Sequence, residues 1–401
     1  MNSKALTFDE ALSLLLAGAA PVTDTETLNT LDAAGRVLAE SLHSTIDVPP
    51  HDNSAMDGDV VRSGDIVNEG ASLLVSQRIA AGSVGELLQP GTAARIFTGA
   101  PIPPGADAVV MQEQCRADGD RVTVNHVPRA GENIRRRGED VAVGSDVLAA
   151  GTRLTPQAMG LAASVGIAQL KVFRKLRVAI FSTGDELMMP GEPLRPGAIY
   201  NSNRFVLRGL LQGMGCEFID LGIVADDLAK TRETFRQAAE GSDLILTSGG
   251  VSVGEEDHVK AAVIAEGELN LWRIAIKPGK PLAFGRIGNA PFIGLPGNPV
   301  ASFVTFLMLV RPFLLKRQGA VVQAPRSLTL TAGFEWTRPD QRREFIRARI
   351  GEDGRAVIYP QQNSGVLSST VWADGLIDLA PGQKVAVGDA VRYLPFAELL
   401  Y

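Results

Sequence analysis

Two segments of the chain end an apolar run in the same way. "FSTGDEL" at 181–187 places Ser182, Thr183 and Gly184 just before Asp185 and Glu186. "TSGGVSVGEED" at 247–257 places Ser248, Gly249, Gly250 and Ser252 before Glu255, Glu256 and Asp257. Glycines let backbone N–H groups approach an anion closely, and hydroxyls add donors. Carboxylates in the same turn suit a divalent cation that bridges to phosphate oxygens. The same residue types also make ordinary strand-to-helix turns capped by an acid. That both turns belong on one edge of one sheet favours the phosphate reading.

Further charged groups follow in the same part of the chain. In "IAIKPGKPLAFG" at 274–285, Lys277 and Lys280 flank a Pro-Gly turn, which reads as an anion clamp or as a solvated hairpin. "GLPGNPVAS" at 294–302 is a glycine turn into a helix with Asn298 as cap and Pro299 at the first helical position. In "RREFIRARI", alternation sends Arg343, Phe345, Arg347 and Arg349 to one face, and Arg342, Glu344 and Ile346 to the other. "RRR" at 135–137 reads as a surface turn. His258 is either a base or a helix-start histidine satisfied by its neighbours. There is no Ser/His/Asp order and no HExxH, so covalent hydrolysis and zinc chemistry have little support. "DNSAMDG", "FTGAPIP" and "GENIRRRGED" carry Asp57, Thr98 and Asp140 in glycine-bounded turns, to which composition alone gives no role.

The elements that must position these residues fall into distinct patterns. From Leu176 to about Gly319, apolar strands alternate with helical stretches, the pattern of a parallel sheet covered on both faces. Ligands of such sheets bind beyond the carboxyl ends of the strands. Residues 45–140 show short β-like pieces between Pro/Gly turns. Helical stretches at roughly 7–40 and 155–166 flank them, and would pack together if the β-rich part is an insertion. Alternating strands return after "QAPRS" at 323–327. The expected fold is therefore multidomain α/β plus β. It has a discontinuous helical/linker domain (1–44 and 141–174), an inserted β-rich domain (45–140), a doubly wound, mostly parallel α/β domain (175–322) and a C-terminal β-barrel (323–401).

Composition narrows the function. The 401 residues are 45% hydrophobic and 21% charged, enough for several buried cores. A net charge of −6 and 5% aromatics argue against nucleic acid as a partner. Cys115 and Cys216 show no metal or disulfide spacing, which fits a cytoplasmic protein. "TFDE" reads as a capping box with Thr7 as N-cap, and not as part of a signal peptide, because Asp9 and Glu10 precede the apolar run. The run "VASFVTFLMLV" at 300–310 is too short to span a bilayer and reads as a buried helix, so no membrane association is expected.

Taken in order, "DNSAMDG", "FTGAPIP", "STGDEL", "TSGGVSVGEED", "IAIKPGKPLAFG" and "GLPGNPV" resemble the motifs of the molybdopterin molybdotransferase family, MoeA and the gephyrin E domain. The resemblance covers essentially the whole chain. It implies a four-domain homodimer that inserts molybdate into adenylylated molybdopterin and releases AMP, assisted by Mg2+. The implied partners are a molybdopterin adenylyltransferase and molybdoenzymes. In that family the site lies between the α/β domain of one subunit and the β-rich domain of the other. Carried over by motif, the catalytic set is Asp57, Thr98, Asp140, Glu186, Asp226 (over Asp227) and Asp257. Lys277, Lys280, Arg342 and Ser369 join the strand-end residues, Pro281, Pro299 and Ser302 in substrate binding, with Arg343 and Ser368 as close alternatives for the barrel pair. Asp185, Glu186 and Asp257 would hold Mg2+, and 247–254 would cradle the terminal phosphate or the pterin end. The chain departs from the family at Asp59, where an aromatic is common, at Ala301, where several relatives have serine, and at Arg273, often lysine. Adenylylation of molybdopterin and a scaffold of the gephyrin type remain as alternatives.

Overall fold

Three six-stranded sheets organise the computed structural model, which describes residues 5–250 and 258–400. The central one runs in the order Glu217–Val224, Arg177–Thr183, Leu244–Ser248, Ala290–Leu295, Pro281–Ile287, Gly267–Arg273. Its first four strands are mutually parallel and the last two antiparallel. Alternation explains its unbroken apolar strands. Val178, Ile180, Leu244, Leu246 and Ile293 enter one core with Leu207 and Leu211 of the helix Ser202–Gly213. Ala179, Phe181, Ile245 and Phe292 enter another with Phe235, Ala238 and Val263. Phe235 meets Phe181 and Phe292 edge-on at 5.0 and 5.2 Å, the arrangement that aromatic quadrupoles favour. The inner strands are covered on both faces, so a ligand can meet them only at their ends.

The β-rich sheet lies within 58–124, in the order Ala108–Met111, Gly58–Val61, Thr92–Ile96, Ala71–Ile79, Arg121–Val124, Cys115–Asp118. Segments on either side of it in sequence pair with each other: Thr25–Asn29 with Gln169–Phe173, and Leu42–His43 with Asp146–Leu148. The helical expectation for roughly 7–40 holds only for Phe8–Ala17; strands and a short 3-10 turn follow it. That first helix has the capping box, with Thr7 N–H donating to Glu10 Oε2 at 2.8 Å and Glu10 N–H to Thr7 Oγ1 at 3.2 Å. Such a cap stabilises a helix by about 1 kcal/mol. Its Ala11 and Leu15 are buried with Phe313 and Phe345, whereas Ala158 and Ala162 of the second helix, Pro156–Ser164, pack with Leu38 and Leu170. The two helices thus serve different cores.

The third sheet joins five strands after Leu328 to Ile276–Lys277, which pairs with Arg343 and Glu344, and Ala332 returns against Ala356 through a single bridge, closing a small barrel around Ile346, Ile377 and Tyr393. The helix from Pro299 to Arg317 is 19 residues long, and apolar enough to cross a membrane by length and composition, but 78% of that window is buried inside the protein. It is the central core helix, touching the first helix and the sheet.

Candidate active site

The strands Arg177–Thr183, Leu244–Ser248 and Ala290–Leu295 stop side by side, with Ser182 opposite Ser248 and Ser248 opposite Leu295. Beyond their carboxyl ends opens a cleft of about 1010 Å³. The Ser182 and Ser248 hydroxyls bond to each other at 3.1 Å, which ties the two strand ends together. Thr183, Gly184, Ser248, Gly249 and Gly250 form the floor. Ser252 and Asp257 lie outside the described residues.

One wall is acidic. Glu186 and Asp226 line it, while Asp185 does not; its Oδ1 accepts the Asp226 N–H at 3.2 Å and so braces that loop. The Glu186 carboxylate folds over Gly184, whose backbone, at φ +141°, lies in the region that favours glycine. Asp227 caps the helix Leu228–Gly241 by accepting Lys230 N–H at 2.8 Å, which leaves Asp226 as the acid of this loop at the cleft.

The opposite wall is cationic, through Lys277, Lys280 and Arg342, with Pro281, Pro299 and Ala301 beside them. Lys277 Nζ lies 3.0 Å from Glu344 and 3.7 Å from Asp340, and Arg342 Nη2 lies 2.7 Å from Asp340. The hydrogen bonds from Arg342 hold the Asp340 carboxyl well below the usual carboxylate range, so this acid stays ionised and shares both cations. Among the described residues Lys280 makes no ion pair, and it is exposed. It is therefore the cation of this wall most available to a ligand. The loop reaches its position because Gly279, at φ +111°, sits where a Cβ would be 2.5 Å from Thr305 Oγ1 of the core helix.

The barrel supplies the rest of the wall through Gln362, Asn363, Ser364 and Gly365, with Val300 N–H donating to Ser364 O at 3.0 Å. Ser302 and Ser369 are buried, at 1% and 0% exposure, and neither lines the cleft. Ser369 Oγ accepts Arg347 Nε–H at 3.1 Å, and Arg347 Nη2–H donates to Asn363 O at 3.2 Å. Arg347 is only 1% exposed, and burial lowers its guanidinium to about 10. Sequence reasoning passed over this residue as one of several arginines on an alternating strand. Its partners are a hydroxyl and a carbonyl, far along the chain, which spacing does not reveal.

Asp57, Thr98 and Asp140 gather on the β-rich domain. Ser54 N–H donates to Ala100 O, Ala55 N–H to Asn133 O and Asp140 N–H to Val48 O, which weaves the three glycine-bounded turns into one exposed cluster. Arg136 and Arg137 pin it from below, on Asp52 and Asp47. None of the three residues lines the cleft of its own chain.

The fold and site define a multidomain α/β protein with a ligand cleft at the strand ends, lined by both carboxylates and cations. Residues 6–166 match the MoeA N-terminal region (domain I and II), 179–316 a probable molybdopterin binding domain, and 329–396 the MoeA C-terminal region (domain IV). The chain is 43% identical over 98% of its length to the whole of the molybdopterin molybdenumtransferase of Haemophilus influenzae. It is 37% identical over 96% of its length, and 98% of the relative's, to that of Synechococcus elongatus. Among solved structures, the molybdopterin biosynthesis MoeA protein of Pyrococcus horikoshii superposes with a TM-score of 0.84 at 31% identity, over 98% of this chain and 100% of that one. The chain belongs to the MoeA family.

Proposed function

We propose that the protein inserts molybdate into adenylylated molybdopterin and releases AMP, as a transferase of molybdenum cofactor biosynthesis. The observation that carries this reading is the division of the cleft, with carboxylates Glu186 and Asp226 facing cations Lys280 and Arg342 across about 1010 Å³. Adenylylated molybdopterin is a polyanion and molybdate a dianion, so Lys280 and Arg342 gather both in spite of the chain's acidic total. The strand-end glycines offer backbone N–H groups to the terminal phosphate.

The residues present fit Mg2+. Among the described residues no three or more His, Cys, Asp or Glu side chains form a metal cage, but Mg2+ keeps several waters and needs only one or two carboxylates beside substrate phosphates. Asp185, Glu186 and Asp257 would hold it, with Asp226 beside them; the Asp226 N–H occupies one Asp185 oxygen, Oδ1. When bound, the ion would neutralise charge at the phosphoanhydride.

The exposed Asp57, Thr98 and Asp140 cluster would complete the cleft of a second copy, which supports a homodimer with two composite sites. Both cysteines, Cys115 and Cys216, are free thiols, in keeping with a reducing cytoplasm, where a molybdopterin adenylyltransferase would be the supplier and molybdoenzymes the recipients. Purified protein given adenylylated molybdopterin and Mg2+ should release AMP only when molybdate is added. Release that ignores molybdate, or none from a folded protein, would refute the reading.

A further inference from the structure

Asn201 is 2% exposed and lines the cleft, yet its Nδ2 has no hydrogen-bond partner among the described residues. The amide's orientation is set by its other end. Asn201 is the N-cap of the twelve-residue helix Ser202–Gly213, and Oδ1 accepts the Arg204 N–H at 3.2 Å. Turning the amide over would set two donors against each other, so the amino group is the end left over. A buried donor without an acceptor is a standing cost to the fold, and its position at a binding cleft indicates what satisfies it.

The surroundings select the acceptor. Asn201 follows Ile199 and Tyr200, which line the cleft and are 56% and 43% exposed. The Tyr200 hydroxyl already donates to Glu192 O at 2.8 Å, which leaves its ring as the surface available to a ligand. Ile199 N–H donates to Glu186 O at 2.8 Å, and Leu187 pairs with Ile199, so this corner stands beside the acidic wall. An uncharged ring with an acceptor on its edge suits an aromatic and aliphatic surface next to a neutral donor.

We propose that Asn201, with Ile199 and Tyr200, is the subsite that reads a nitrogen heterocycle of the substrate, the ring packing on the two side chains and a ring acceptor taking the Nδ2–H. The inference rests on the reading of the cleft given above and deepens it. Two heterocycles of the substrate class qualify, the adenine of the adenylyl group and the pterin.

The test is calorimetric titration of the full-length protein with AMP, with ribose 5-phosphate and with neopterin, each for wild type and for Asn201→Ser. Serine is as good an N-cap as asparagine and lacks the amino group, so the melting temperature should hold. Loss of one neutral hydrogen bond should weaken the ring that is read by about fivefold, with ribose 5-phosphate unchanged. A drop for AMP alone assigns the subsite to adenine, and a drop for neopterin alone assigns it to pterin. Unchanged binding of both rings, or an equal drop for ribose 5-phosphate, overturns the subsite. A wild type that binds neither ring overturns it as well; if that protein also releases no AMP in the molybdate assay, the functional reading fails with it. Asn201→Asp should weaken the ring further, since it replaces the donor by a charged acceptor while keeping the cap.

Discussion

Asp57 and Thr98, 41 positions apart, meet at one oxygen: Asp57 Oδ1 accepts the Thr98 backbone N–H at 2.7 Å and the Thr98 hydroxyl at 2.8 Å. The backbone bond, then the hydroxyl, lowers the Asp57 carboxyl below its usual value, although the group is exposed. Thr98→Ala keeps the first bond and loses the second. The carboxylate is then less stabilised and takes up its proton at a higher pH. The acid limb of the rate profile for molybdate-dependent AMP release should move upward by less than about one pH unit, and Asp57→Asn should cost at least about 100-fold. An unmoved acid limb would detach Asp57 from the chemistry.

Asp59 is 4% exposed, and burial raises its carboxyl above the usual value even with Arg95 Nη1 at 3.6 Å. The folded chain therefore keeps this proton to a higher pH than the unfolded chain does. Its contribution to stability falls as pH rises from the unfolded value to the folded one, and is level above that. In urea titrations Asp59→Asn should gain on wild type over that interval, reaching about 1 kcal/mol at neutral pH. A constant difference at all pH values would show that the group does not titrate as placed.

Arg347 spans the barrel strand, Ser369 and the cleft wall at Asn363. Arg347→Ala should cost about 2–4 kcal/mol, since it opens a cavity and takes a donor from the buried Ser369 hydroxyl. Hydrogen exchange should quicken at 362–365 more than in the central sheet. A stable variant with unchanged exchange would reduce Arg347 to filler.

Arg174 pairs with Asp243 through two bonds of 2.6 and 2.8 Å, and with Asp24 at 3.0 Å. Burial pushes the Asp243 carboxyl up, but the bonds from Arg174 and from Arg177 N–H outweigh it and lower the net value. The stability this contributes is present above the ordinary carboxylate pKa and is lost as pH falls through the depressed one. Asp243→Asn should cost about 2 kcal/mol at pH 7 and progressively less in acid. Equal costs at both ends of the range would assign the effect to packing.

Much of this architecture was legible because period-2 and period-3.6 patterns are local. "RVAIFST" and "LILTS" carry unbroken apolar runs at 178–181 and 244–246 because helices cover both faces, and the glycine turns at Gly184 and Gly249 mark their ends. The capping box at Thr7 was equally local. What was not legible depends on contacts distant in sequence. Nothing near Lys277 shows that Glu344 shares its charge, nor does the alternation around Arg347 reveal Ser369 behind it. That Asp185 Oδ1 also braces the Asp226 N–H is a contact the acid run alone does not reveal. Ser302 faces the core because the helix begins with Pro299 at the cleft and turns inward within one turn.

The composite site is the central claim, and subunit complementation of molybdate-dependent AMP release tests it most directly. Asp57→Ala homodimers and Lys280→Ala homodimers should each be inactive. A hybrid dimer joins one intact Lys280 cleft to one intact Asp57 cluster. After equal mixing and exchange, half the dimers are hybrids with one working site each, so about a quarter of wild-type turnover should return. No recovery from a mixture shown to contain hybrids would place both residues in the same chain's site and contradict the account.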